Sequence, residues 1–207
     1  MIMSESIFSL FADEDGNILD APLYGMGRIG DENVKLREAD IIPLPESADL
    51  FLMPGCRAVG LDENGTKMPI DGFAVSAILP AGYTRTYLPA YEREADAKRL
   101  PLYGYTAVVL YKDALYCTAI YTDENEKWDP VHYNTRDLQK FVKRVKKDLP
   151  GNRIVEQVGR CSLNWHCLTA QNLFYRRWEC GIPTSPVCNA NCFGCISLQP
   201  AECCPSP

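Results

Sequence analysis

The chain has 207 residues, 46% hydrophobic and 23% charged, and its 27 acidic against 21 basic side chains leave a formal charge of −6. This is the balance of a globular protein of one or two domains with enough apolar material for a buried core, and it excludes global disorder. No apolar run approaches the roughly 20 residues of a membrane helix, and the first 15 residues carry acids where a secretory signal is basic. The expectation is a cytoplasmic protein with no membrane partner.

From the start to about residue 130, short apolar segments are broken by turn chemistry instead of repeating every 3.6 residues. This pattern predicts a β-rich domain over 1–130, a small antiparallel sheet or partial barrel. Asp15-Gly16-Asn17 separates residues 7–12 from 17–19, and Asn64-Gly65 separates 58–61 from 66–70. Both pairs supply the positive φ values of tight hairpins. A third hairpin joins 103–111 to 114–121, rich in Tyr, Val, Ile and Thr, across Lys112-Asp113. Residues 1–50 hold 11 acids and 3 bases scattered over turns and strand ends, the pattern of a solvated face. Tyr103, Tyr105, Tyr111, Tyr116 and Tyr121 recur at strand spacing and are expected to pack a sheet face, with ligand stacking as the alternative.

Helical periodicity begins at residue 135. Leu138, Phe141, Val142, Val145 and Leu149 share one face, Asn134 or Thr135 is placed to cap the start, and Pro150-Gly151 ends the helix. This helix belongs to a helical connector over 131–180. Its other face bears Arg136, Lys140, Lys143, Arg144, Lys146 and Lys147, and residues 131–178 hold ten bases against three acids. Such a stripe can attract RNA or another polyanion by neutralising phosphates, although charged outer faces are also routine on amphipathic helices. The chain has no Walker-type loop and no dinucleotide fingerprint, and its two histidines, His132 and His166, come without a G-x-S-x-G elbow.

Of the ten cysteines only Cys56 and Cys117 precede residue 160, and these two, in strand-like surroundings, read as small core residues. The other eight fall between Cys161 and Cys204. In a cytoplasmic protein, clustered thiols read first as metal ligands or redox groups. The segment Cys188-Asn189-Ala190-Asn191-Cys192-Phe193-Gly194-Cys195 places three of them within eight residues. A loop that short can wrap one face of a cubane and put a sulfur on each of three irons, leaving the fourth iron open. Gly194 lets the backbone turn tightly beside the metal, and loop amides can point at the cluster's sulfurs.

This spacing resembles the cluster-binding motif of the radical S-adenosylmethionine enzymes, and so does its surrounding stretch. That stretch runs from Ala170-Gln171-Asn172 through Arg177-Trp178-Glu179 and Ile182-Pro183-Thr184-Ser185-Pro186-Val187 to Ile196-Ser197-Leu198-Gln199. The resemblance implies that Cys188, Cys192 and Cys195 hold a 4Fe-4S cluster whose open iron chelates S-adenosyl-L-methionine, and that an injected electron cleaves this cofactor to methionine and a 5′-deoxyadenosyl radical. It also implies an electron donor such as flavodoxin or ferredoxin, and a substrate that the sequence does not name. Most members carry an aromatic residue immediately before the third cysteine. Here Gly194 holds that place and Phe193 sits one earlier, so these two are the candidates for contact with the cofactor.

In the family the cysteine loop follows the first strand of a β/α barrel, but only 12 residues follow Cys195. The overall expectation is therefore an α+β chain: the β-rich domain, the connector, and over 181–207 the first strand and cluster loop of a barrel that is otherwise absent. Such a truncated N-terminal portion would be inactive alone. Cys161, His166, Cys167 and Cys180 are candidates for an auxiliary metal site, although their spacing matches no standard finger. No single role leads for adjacent Cys203-Cys204. The alternative is a non-catalytic protein whose terminal cysteines hold zinc and whose basic helix contacts RNA.

Overall fold

The computed structural model describes residues 6–30, 32–80, 82–97, 100–101, 105–123, 135–164, 167–177, 181–182 and 201–202. In chain order the first strands are β1 (Phe8–Ala12), β2 (Ile18–Tyr24), β3 (Met26–Ile29), β4 (Glu32–Lys35), β5 (Ile42–Pro43), β6 (Asp49–Leu61) and β7 (Lys67–Ile78). There follow β8 (Tyr83–Arg85), β9 (Leu88–Pro89), β10 (Tyr91–Arg93), β11 (Leu100–Pro101), β12 (Tyr105–Tyr111), β13 (Ala114–Cys117) and β14 (Ala119–Tyr121). Three helices, α1 (Thr135–Asp148), α2 (Arg153–Asn164) and α3 (Leu168–Tyr175), precede a last short strand, β15 (Ala201–Glu202). The class is α+β, with antiparallel pairing dominant.

The two hairpins signalled by glycine share one device. In the first, the Asp13 carboxylate accepts the backbone N–H groups of Asp15 at 3.0 Å and Asn17 at 2.8 Å. In the second, Asp62 Oδ1 accepts those of Asn64 at 2.9 Å and Thr66 at 2.7 Å. Only the glycines at these turns, Gly16 at φ 84° and Gly65 at φ 77°, take the left-handed conformation. The tight hairpins expected here are thus loops with one left-handed glycine each. At the third hairpin both Lys112 (φ 50°) and Asp113 (φ 59°) are left-handed, the signature of a two-residue type I′ turn.

β2, β6 and β7 reach further than their sequence segments suggested. An eight-stranded sheet runs β10-β6-β2-β1-β7-β12-β13-β5, with β6 also paired to β7 and β1 to β12. The pairings β1–β2, β2–β6, β6–β7 and β7–β1 return to their starting strand, so this sheet closes a small ring. β1 is its hub. Phe8 and Ser9 pair with Leu110 and Val109 of β12, while Phe11 and Ala12 pair with Ala74 and Phe73 of β7. With neighbours all round, Ser9, Leu10, Phe11 and Ala12 are buried on both faces.

β6 crosses Pro54 by breaking register. Leu52 faces Val75 but Arg57 faces Phe73, so the segment between them bulges out of the ladder, and a proline without an N–H is accommodated there. Beneath this bulge lie fully buried Met53 and Cys56, packed with Phe11, Tyr91 and Tyr105. The tyrosines mostly follow the packing expectation. Tyr105 and Tyr111 are buried, and Tyr116 meets Tyr111 edge-on at 5.2 Å. Tyr121 lies largely exposed against Tyr83, and Tyr103 falls outside the described residues. Two buried threonines donate to backbone carbonyls: Thr106 Oγ1 to that of Thr118 at 2.7 Å, and Thr118 Oγ1 to that of Tyr87 at 2.9 Å.

The helices build a separate cluster of buried residues. α1 runs close to its expected span and buries Leu138 and Val142, with Phe141 and Val145 half-buried; Leu149, expected on the same face, lies just past the helix and is exposed. Asn134, one of its two candidate caps, falls outside the described residues. Gly151 at φ 71° turns the chain, and Asn152 caps α2, its Oδ1 accepting the N–H groups of Ile154 at 3.0 Å and Val155 at 3.1 Å. Val155, Val158, Cys161, Ala170 and Phe174 complete the core. Gly159 sits at the closest approach, where an added Cβ would lie 3.3 Å from Val142 and 3.2 Å from Lys146.

Candidate metal centre

Chain direction out of α3 is set by its end. Arg176 takes the left-handed conformation at φ 53°, its N–H reaching the Leu173 carbonyl at 3.3 Å, while the Arg177 N–H donates to that of Asn172 at 2.9 Å. These bonds satisfy two carbonyls that a helix end would otherwise leave open, and they turn the chain sharply. The stretch that carries the family resemblance therefore begins as helix: Ala170, Gln171 and Asn172 are all buried in α3.

The five residues expected to hold cluster and cofactor, Cys188, Cys192, Phe193, Gly194 and Cys195, lie outside the described residues, as do Cys203 and Cys204. Of the expected auxiliary set, His166 and Cys180 also lie outside them. Cys161 is buried on α2, and Cys167, half-buried, starts α3 and donates its backbone N–H to the Cys161 carbonyl at 3.3 Å. Among the described residues no three ligand-type side chains are gathered as a metal would require. Ala201–Glu202, six residues beyond the motif, pairs in parallel with Leu100–Pro101 of the β-rich part.

Cys56 and Cys117 are separated from this chemistry by their environment. Both are fully buried, and burial pushes the Cys56 thiol up to about 11 and the Cys117 thiol up to about 12. A metal takes the thiolate, so these two stay protonated and act as packing groups.

No family model matches the chain, and no curated protein or solved structure matches it either.

Two polar side chains of the helical unit escaped sequence reasoning. Gln157 on α2 and Gln171 on α3 are buried, yet both side-chain atoms of Gln157 and the Oε1 of Gln171 have no hydrogen-bond partner among the described residues. A buried amide without a partner costs about 1–3 kcal/mol, so such groups are few in native proteins. The signal available in the sequence was weak. Gln157 lies between Glu156 and Val158, and glutamine on a helix is ordinarily solvated.

Proposed function

We propose that this chain is the cluster-binding portion of a radical S-adenosylmethionine enzyme, working in the reducing cytoplasm with a one-electron donor such as flavodoxin or ferredoxin, on a substrate of unassigned class. The observation that carries the reading is the sequence Cys188-x3-Cys192-x2-Cys195 within its matching flanks. The donor set fits a 4Fe-4S cluster. Three thiolates are the anchors such clusters take, and a set of three leaves one iron for an incoming ligand. When bound, the cluster supplies the electron that cleaves S-adenosyl-L-methionine to methionine and a 5′-deoxyadenosyl radical.

The remaining work belongs to the chain. Cys188, Cys192 and Cys195 must each release a proton to ligate, so loading is favoured by rising pH. Gly194 leaves room for close backbone approach, and Phe193 offers an apolar face for the cofactor's adenine. The buried, protonated Cys56 and Cys117 do not compete for iron.

Anaerobic reconstitution of the full chain with iron and sulfide tests the reading. The expected product binds about four irons per chain, and Cys188→Ala, Cys192→Ala or Cys195→Ala each abolishes it, while Cys56→Ala and Cys117→Ala do not. The electron paramagnetic resonance signal of the reduced protein should change when S-adenosylmethionine is added. Stoichiometric zinc with no iron would overturn the proposal in favour of a structural zinc site, and a cluster indifferent to S-adenosylmethionine would overturn the open-iron assignment.

A further inference from the structure

The observation is the outer face of α1. Arg136, Lys140, Lys143, Arg144 and Lys147 lie within roughly 100° of the helix circumference. They form a ridge about 16 Å long at 1.5 Å per residue. All five are exposed. Among the described residues Lys140, Lys143, Arg144 and Lys147 form no ion pair. Arg144 lies over the Phe141 ring at 5.1 Å, and the neighbouring Lys146 pairs with Glu156. Like charges four apart, such as Lys140 with Arg144 and Lys143 with Lys147, each weaken a helix by a few tenths of a kcal/mol. An external anion would relieve these repulsions.

We propose that this ridge binds the sugar-phosphate backbone of a nucleic acid, without reading its bases. Charge complementarity selects an anion, and the composition of the face selects its kind. α1 exposes no large apolar side chain within its span, because Leu138 and Val142 are spent in the three-helix core. A protein partner would want aromatic or apolar anchors at the centre of its contact, and a membrane-surface helix would need a free apolar face. A row of phosphates needs neither. The overall charge of −6 keeps the contact weak and confined to this segment, where residues 131–178 are net positive by seven. The inference rests on α1 alone and stands or falls independently of the cysteine motif.

Fluorescence anisotropy of a labelled 20-nucleotide oligouridine titrated with the full chain tests it, across 50 to 200 mM NaCl. Four neutralised phosphates predict that log K falls against log salt with a slope of about −3, and Lys140→Gln/Lys143→Gln/Lys147→Gln should flatten it to about −1 or less. That variant removes like-charge pairs and should keep its helix by circular dichroism, so lost binding would not be lost fold. Absence of binding at 50 mM salt overturns the proposal, as does equal binding by the triple variant. Tighter association with 30% phosphatidylserine vesicles, or with polyglutamate at matched charge, overturns it in favour of a membrane or an acidic protein.

Discussion

Asp13 shows how much one side chain can organise. Its carboxylate accepts from the Asn17 amide at 2.9 Å and from two backbone N–H groups, and these bonds, the Asn17 side chain foremost, hold it below the usual carboxylate range. A lowered folded-state value means stability that is complete above the unfolded value of about 3.9 and lost as pH falls through the folded one. Asp13→Asn should therefore destabilise the protein at pH 7, with the gap to the parent closing as the medium is acidified to pH 3. Urea midpoints across that range check this, and a gap independent of pH would refute it. The thiols give a second prediction at this scale. With values near 11 and 12, Cys56 and Cys117 should resist iodoacetamide at pH 8 in the native protein and react on unfolding, as mass spectrometry of the tryptic peptides would show. Turn residues were legible because Gly16 and Gly65 announce themselves. Lys112 and Asp113 were legible by position; aspartate tolerates positive φ, whereas lysine has no preference for it.

At the scale of elements, α1 was readable because its apolar residues keep helical period and Pro150-Gly151 ends it, whereas α2 was less so. Its buried face mixes Gln157, Gly159, Cys161 and Ser162 with Val155 and Val158, so few large apolar residues mark it in the sequence. Gly159 explains part of the packing. An alanine there would gain about 1 kcal/mol of helix propensity while pressing on Val142 and Lys146, so the two effects roughly cancel. Gly159→Leu gains nearly the same propensity but adds a far larger side chain to the filled site, and should cost about 1–3 kcal/mol by overpacking, measured as a lowered urea midpoint. Strand reach was less legible. Proline is a poor strand residue, yet β2, β6 and β7 run through Pro22, Pro54 and Pro69, with the β6 bulge absorbing Pro54. The cysteine motif remains a feature of sequence. Spacing is a property of covalent order, and its meaning as a site rests on loading experiments.

For the whole molecule, buried residues group into strand-built clusters and one cluster drawn only from α1, α2 and α3. If the two kinds of core are independent, Phe174→Ala, which removes a fully buried ring at about 3–5 kcal/mol, should raise hydrogen exchange across 135–175 and leave amides of β6 and β7 as protected as before. Uniform loss of protection would show one cooperative unit. A small sheet or partial barrel was expected, but the strands that close the ring were not legible, because pairing over long separations leaves no local trace. It has a consequence for biosynthesis. β1 leaves the ribosome well before its partner β12, which ends at Tyr111, 99 residues after Ala12. At elongation rates of about 5–20 residues per second, the newborn strand waits roughly 5–20 s with one flank unclaimed. During that interval a chaperone, or the same strand on a neighbouring polysome, competes for a seat that the chain's own later segment has yet to fill.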